Sequence, residues 1–301
     1  MTLCIAAICN NGRNVICASD GMLSDMASGA SGDVGAKKGV WFGDWMFLFA
    51  GHLHNCDLIM EEVRLQNIKD KDCLSRAGIQ TTLRNAYKRH LAKWSADRFL
   101  AQYYPTMEEF RRKGRSEFGD ERFAELSRAM ETDAQQNYGE QIIAVGYGKT
   151  VHAAAVFRID GSGLSSHNLE GFTAIGSGAT SALSTLLTSG YSRDLPLEEA
   201  LYMVCAAAFS AEGRDGVGPL RLLAVVHKRD EKEPKEKLPG ELIQPDEIAK
   251  LRRAWDRYGR PTIPKAALVI TDEIARRIGV TSVGNMTRMV NSAAKKNKQK
   301  H

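Results

Sequence analysis

Apolar residues fill almost every position from Leu3 to Cys9, the pattern of a strand buried on both faces. Asn10-Asn11-Gly12 tolerate the positive φ of a tight reversal, so Val15 to Ser19 is expected to return antiparallel and to end at Asp20-Gly21. Met22 to Gly35 is rich in Gly, Ser and Ala and reads as a loop. Val40-Trp41-Phe42 and Trp45 to Ala50 flank Gly43-Asp44 and predict a second hairpin, closed by Gly51. From Leu53 to Tyr104 the period lengthens. Leu58, Ile59, Val63 and Leu65 suit one helical face, and Ile79, Leu83, Tyr87 and Leu91 recur at four-residue spacing. Tyr103-Tyr104-Pro105 breaks that pattern. Thr106 with Glu109 has capping-box spacing ahead of a short helix containing Phe110, and another helix is expected from Asp120 to Gln136.

Strand patterns return at Gln141 to Gly146 and at Ala153 to Ile159, with Asp160-Gly161 as a turn. Phe172 to Ile175 leads through Gly176-Ser177-Gly178 into a helix carrying Ala182, Leu183, Leu186 and Leu187. A small-residue turn of this kind leaves room for a backbone or ligand to approach. Pro196, with Glu198 and Glu199 behind it, opens a further helix to about Glu212, and Arg214 to Gly218 turns the chain into a last strand, Leu220 to His227. Strands, two helices, strands, two helices and a final strand make an α+β chain. The order suggests a four-layer αββα sandwich, two antiparallel sheets between helical layers. The expected organisation is a domain over residues 1–228 with a long helical stretch at about 94–136, a charged linker over 229–240, and a helical extension over 241–301 with a basic tail.

Composition narrows the function classes. With 301 residues and 43% hydrophobic content the chain can bury a large core, and no apolar run approaches the roughly 20 residues of a membrane span. No leader pattern opens it, so a cytoplasmic protein is expected. The six cysteines form no CxxC pair and read as buried thiols in a reducing compartment. Much of the net charge of +5 sits in the tail Lys295 to His301, and nothing else favours a nucleic-acid partner.

Candidate chemistry begins at Thr2. Removal of Met1 gives one residue both a hydroxyl nucleophile and an α-amino group with an ordinary pKa of about 8, near enough to neutrality to serve as general base. Other motifs fail on spacing: the glycines before Lys37 miss the Walker pattern, and Gly176-Ser177-Gly178 misses GxSxG. His52 and His54 lack a third metal ligand, and no cofactor is called for.

Thr2, the strand ending Asp20-Gly21, Lys37 ahead of a hairpin ending Phe49-Ala50-Gly51, Thr173 to Gly178, and Arg214-Asp215 together resemble a proteasome β-type subunit. Similarity is greatest to the bacterial proteasome-like peptidases, which are N-terminal nucleophile hydrolases, and it covers about residues 2–228. The resemblance implies a threonine peptidase with Thr2 as nucleophile and its freed amine as base. It implies that Asp20 holds Lys37, with Lys38 as the alternative, and that the lysine's charge lowers the pKa of the threonine groups. Gly51 offers its N–H to the oxyanion, and Ser177 and Asp215 orient the amine and water. Unfolded polypeptide as substrate, a homo-oligomeric ring or spiral, and an ATPase unfoldase partner are further implications. A catalytically silent ring or scaffold subunit and a small-amide hydrolase are the alternatives. Two positions depart from the family pattern: Gly218 where a serine is usual, and Met22 where an arginine often stands.

Overall fold

The computed structural model describes residues 2–259 except 25–30, 34–37, 71, 101–102, 104–105, 148–152, 214–215 and 229–237. Residues to Trp255 form one compact unit and Asp256 onward a second, of which 256–259 are described. The strands are β1 (Cys4–Cys9), β2 (Asn14–Asp20), β3 (Met22–Ser24), β4 (Ser31–Asp33), β5 (Gly39–Phe42), β6 (Trp45–Ala50), β7 (Gln141–Tyr147), β8 (Ala154–Asp160), β9 (Gly163–Ser166), β10 (Phe172–Ile175), β11 (Leu220–His227) and β12 (Gly240–Leu242). The helices are α1 (Leu53–Lys69), α2 (Arg76–Phe99), α3 (Met107–Asn137), α4 (Ala179–Thr188), α5 (Leu197–Ala211) and α6 (Pro245–Ala254).

Two five-stranded antiparallel sheets, ordered β10-β1-β2-β11-β12 and β5-β6-β7-β8-β9, form the centre. The strands' two-residue period sorts their side chains between layers. Along the first strand Ile5, Ala7 and Cys9 face α4 and α5, while Cys4, Ala6 and Ile8 face the second sheet. On β6, Trp45, Phe47 and Phe49 pack under α1 and α2, whereas Met46, Leu48 and Ala50 meet the first sheet. Both sheets are therefore apolar on both faces, which is why β1 and β6 read as unbroken hydrophobic runs. The result is an α+β sandwich of four layers, with three stacked cores between them.

Several local outcomes refine the sequence reading. The two helices expected around Phe110 and after Asp120 are joined as α3, interrupted where Gly119 leaves helical geometry at φ 78° and ψ 163°. Thr106 caps it, accepting a hydrogen bond from the Glu109 N–H at 3.1 Å. A small β3–β4 hairpin falls inside the stretch expected to be loop. Beyond residue 237, β12 pairs with β11, and α6 lays Ile248 and Leu251 against the first core, within the compact unit that ends at Trp255. The apolar run from Ala266 to Ile270, the helix start at Thr271 and the basic tail lie outside the described residues. All six cysteines are buried and free of disulfides, and burial pushes the Cys9 and Cys205 thiols up to about 12.

Candidate active site

Thr2 precedes β1 and is buried at 6% exposure, in reach of three elements. Antiparallel pairing of β1 with β2 sets Cys4 opposite Ser19 and so brings Asp20 beside Leu3. The Leu3 N–H donates to Asp20 Oδ1 at 2.8 Å, and the Asp20 N–H donates to the Leu3 carbonyl at 3.1 Å. The lysine that meets this pair is Lys38, directly before β5. Its Nζ lies 2.7 Å from Asp20 Oδ1 and donates to Thr2 Oγ1 at 2.9 Å. Lys38 is 1% exposed and Asp20 2%, so the ion pair is removed from water. Lys37, the first choice from sequence, lies outside the described residues, and its neighbour occupies the expected place.

The outer oxygen of Asp20 is held by backbone N–H groups at positions 22 and 218. Asp20 Oδ2 accepts the Met22 N–H at 3.2 Å and the Gly218 N–H at 3.1 Å. A Cβ on Gly218 would stand 2.7 Å from Met22 Cβ, closer than carbon atoms approach, so residues 22 and 218 fit as a pair around the carboxylate. Asp20 thus takes three backbone N–H donors and one ammonium.

Across from Lys38, the turn between β10 and α4 holds the Thr2 backbone. The Thr2 nitrogen donates to Ser177 Oγ at 3.2 Å, and the Gly178 N–H donates to the Thr2 carbonyl at 3.2 Å. Gly176 has φ +89°, and a Cβ there would lie 2.2 Å from the Thr2 carbonyl oxygen. Only glycine fits. The approaching group that the small-residue turn makes room for is the chain's own second residue. Gln141, which the sequence reading missed, fixes this turn by accepting the Gly176 N–H on its Oε1 at 2.8 Å.

Gly51 follows β6 with φ +99°. The Phe49 N–H donates to the Lys38 carbonyl at 2.9 Å, so Gly51 is two residues along the strand from the point where Lys38 is held. Asp215 lies outside the described residues. The structure therefore brings Thr2, Asp20, Lys38 and Ser177 into one hydrogen-bonded set. Among the described residues no three His, Cys, Asp or Glu side chains converge as a metal site, and no helix is long and apolar enough to cross a membrane.

The arrangement can hold a hydroxyl against a desolvated ammonium with a main-chain nitrogen of the same residue alongside. Comparison with known proteins gives this geometry a context. The sequence profile of the family described as proteasome subunit matches residues 65–222, just over half of the chain; the match begins after Thr2, Asp20, Lys38 and Gly51 and includes Ser177. Anbu from Yersinia bercovieri, described as an ancestral β-subunit, superposes with a TM-score of 0.57 at 13% identity, covering 87% of this chain and 99% of that one. An Anbu mutant from a Hyphomicrobium species superposes at 0.56 with 14% identity, covering 85% of this chain and 95% of that one. At such identities the likeness is one of fold. No curated protein matches the sequence.

Proposed function

The chain belongs to the proteasome subunit family, and from that premise we propose that it is a threonine peptidase whose nucleophile is the Thr2 hydroxyl. Its scaffold is of the N-terminal nucleophile hydrolase type. The observation that carries the reading is the contact of a buried, Asp20-paired Lys38 ammonium with Thr2 Oγ1 at 2.9 Å. A cation at that distance in a dry site stabilises developing negative charge on the hydroxyl oxygen far more than it would in water.

Once Met1 is removed, the Thr2 amine takes the hydroxyl proton as Oγ1 attacks a peptide carbonyl. The Gly51 N–H receives the oxyanion, a type of contact worth about 3 to 4 kcal/mol in kcat where it has been measured. The C–N bond breaks, the departing amine takes the proton, and an ester remains on Thr2. Water activated by the same amine then releases the acid. Ser177 and Asp215 orient the amine and the water, and Lys38 takes the role that sequence alone assigned to Lys37. Asp20 acts as a positioning residue, fixing Lys38 and, through the Leu3 N–H, the start of β1.

We assign unfolded polypeptide as substrate and a homo-oligomer as the working form. Cleavage of fluorogenic peptides by the full chain, compared with Thr2→Ala, tests the mechanism. Loss of cleavage in the variant supports it, and equal rates overturn it. Mass measured in solution tests the assembly, since a monomer at working concentration contradicts it.

A further inference from the structure

One buried acid takes no part in this mechanism. Glu140, immediately before β7, is 1% exposed. Its Oε1 accepts a hydrogen bond from Asn55 Nδ2 at 2.6 Å, while Oε2 has no hydrogen-bond partner among the described residues. A carboxylate is costly to bury unless something compensates its charge. The compensation on hand is α1. Asn55 sits in the first turn of this 17-residue helix, which has no side-chain cap at His52 and no acid in its first turn. Glu140 brings a carboxyl group to that turn from the segment before β7, at the helix end where negative charge is favoured.

The same residue lies behind Gly51. A Cβ on Gly51 would stand 2.7 Å from the Gly139 carbonyl oxygen and 2.9 Å from Glu140 Cα, so these two backbones are already in contact. Tyr87 Oη donates to the Glu140 carbonyl at 2.9 Å, tying the segment to α2. Burial first, and Glu140's charge second, push the Tyr87 and Tyr138 phenols up, which keeps both protonated beside it. Gly51 is thus held between β6, the first turn of α1 and the Gly139–Glu140 backbone. The Asn55–Glu140 bond closes that frame.

We infer that Glu140 is a positioning residue for the proposed reaction: through Asn55 and its own backbone it fixes the direction of the Gly51 N–H. The inference rests on the reading of Gly51 as the oxyanion donor. A donor misaimed by a fraction of an ångström loses transition-state contact while leaving ground-state binding in place, so kcat falls and KM stays unchanged.

The test uses Glu140→Ala, Asn55→Ala, their double variant and Glu140→Gln in the full chain. Peptide cleavage is followed, together with amide hydrogen exchange over residues 50–58. Each alanine variant is expected to lower kcat about tenfold or more with KM within about twofold, and to speed exchange in that segment. The double variant is expected to lose no more than either single one, because the two side chains act as one unit. Glu140→Gln keeps an acceptor for Asn55 and is expected to hold kcat within about threefold. Unchanged kcat in both alanine variants, losses that multiply in the double variant, or a loss expressed in KM overturns the inference. If the parent shows no Thr2-dependent cleavage, the catalytic reading fails by itself. Exchange that stays slow in Asn55→Ala and Glu140→Ala then overturns the frame independently of activity.

Discussion

Replacing Lys38 with Met retains most of the side-chain volume and removes the ammonium. At 2.7 Å, and with an effective dielectric of about 20, its attraction to Asp20 is on the order of 6 kcal/mol before desolvation is counted. The variant saves the lysine's desolvation but leaves Asp20 buried without a counter-charge, a change that typically costs about 3 to 5 kcal/mol. Asp20 keeps the N–H groups of Leu3, Met22 and Gly218, which places the expected loss near the lower end, about 3 kcal/mol. For a unit of this size that lowers the melting temperature by about 6 to 12 °C. Asp20→Asn in the same chain removes the stranded charge, so the double variant should melt above Lys38→Met alone. Peptide cleavage by Lys38→Met should fall by about two to four orders of magnitude, the usual worth of a group that manages the proton and charge of a nucleophile. Lys37→Ala should stay within a few-fold of the parent. Thermal melts and peptide kinetics on these three variants and the parent check the whole set. A Lys38→Met protein that melts and cleaves like the parent would refute the reasoning, as would a Lys37→Ala protein that alone loses cleavage.

Gly176→Ala places a methyl group against the Thr2 carbonyl at positive φ, and the strain should cost more than about 3 kcal/mol or displace Thr2, read as a lowered melting temperature with lost cleavage. Gly218→Ser, the residue usual in the family, should destabilise by about 1 to 3 kcal/mol because its Cβ meets that of Met22. Met22→Gly in the same chain should recover part of the loss, and additive losses in a double-mutant cycle would contradict the pairing. His90, whose Nδ1 is 2.8 Å from Tyr138 Oη, has its pKa lowered, first by burial and then by Lys93 and His54, against the opposing pull of Asp97 and Glu62. The unfolded chain therefore binds a proton there more readily than the folded one, so stability is full above about pH 6.5 and declines as pH falls through that value toward the folded pKa. His90→Gln should flatten this part of the acid slope in melts between pH 7 and 5, and an unchanged slope would refute it.

The layers were legible because each strand's composition reports how many of its faces are buried. Cys4 to Cys9 and Trp45 to Ala50 carry apolar residues on both faces because a sheet lies on one side and helices on the other. Short strands without that signature were harder to see. Met22–Ser24, Gly163–Ser166 and Gly240–Leu242 are held by pairing with a neighbour, which no local period reveals. In the site, Thr2 and Asp20 stand out through a buried first strand and a turn pair. Choosing between Lys37 and Lys38 depends on which side chain the strand pleat turns inward, and a shift of one residue reverses the answer. Gln141 and Glu140 gave no sequence signal, since each acts through a contact with a segment distant in the chain.

The central claim is that Thr2 is an N-terminal nucleophile. Incubating the purified full chain with a peptide bearing a hydroxyl-reactive electrophile, then sequencing its N-terminal fragment by mass spectrometry, tests that claim most directly. The account predicts a chain beginning at Thr2 with the label on that residue, lost in Thr2→Ala and slowed in Lys38→Met. A uniformly retained Met1, or a label that settles elsewhere and survives Thr2→Ala, would contradict it.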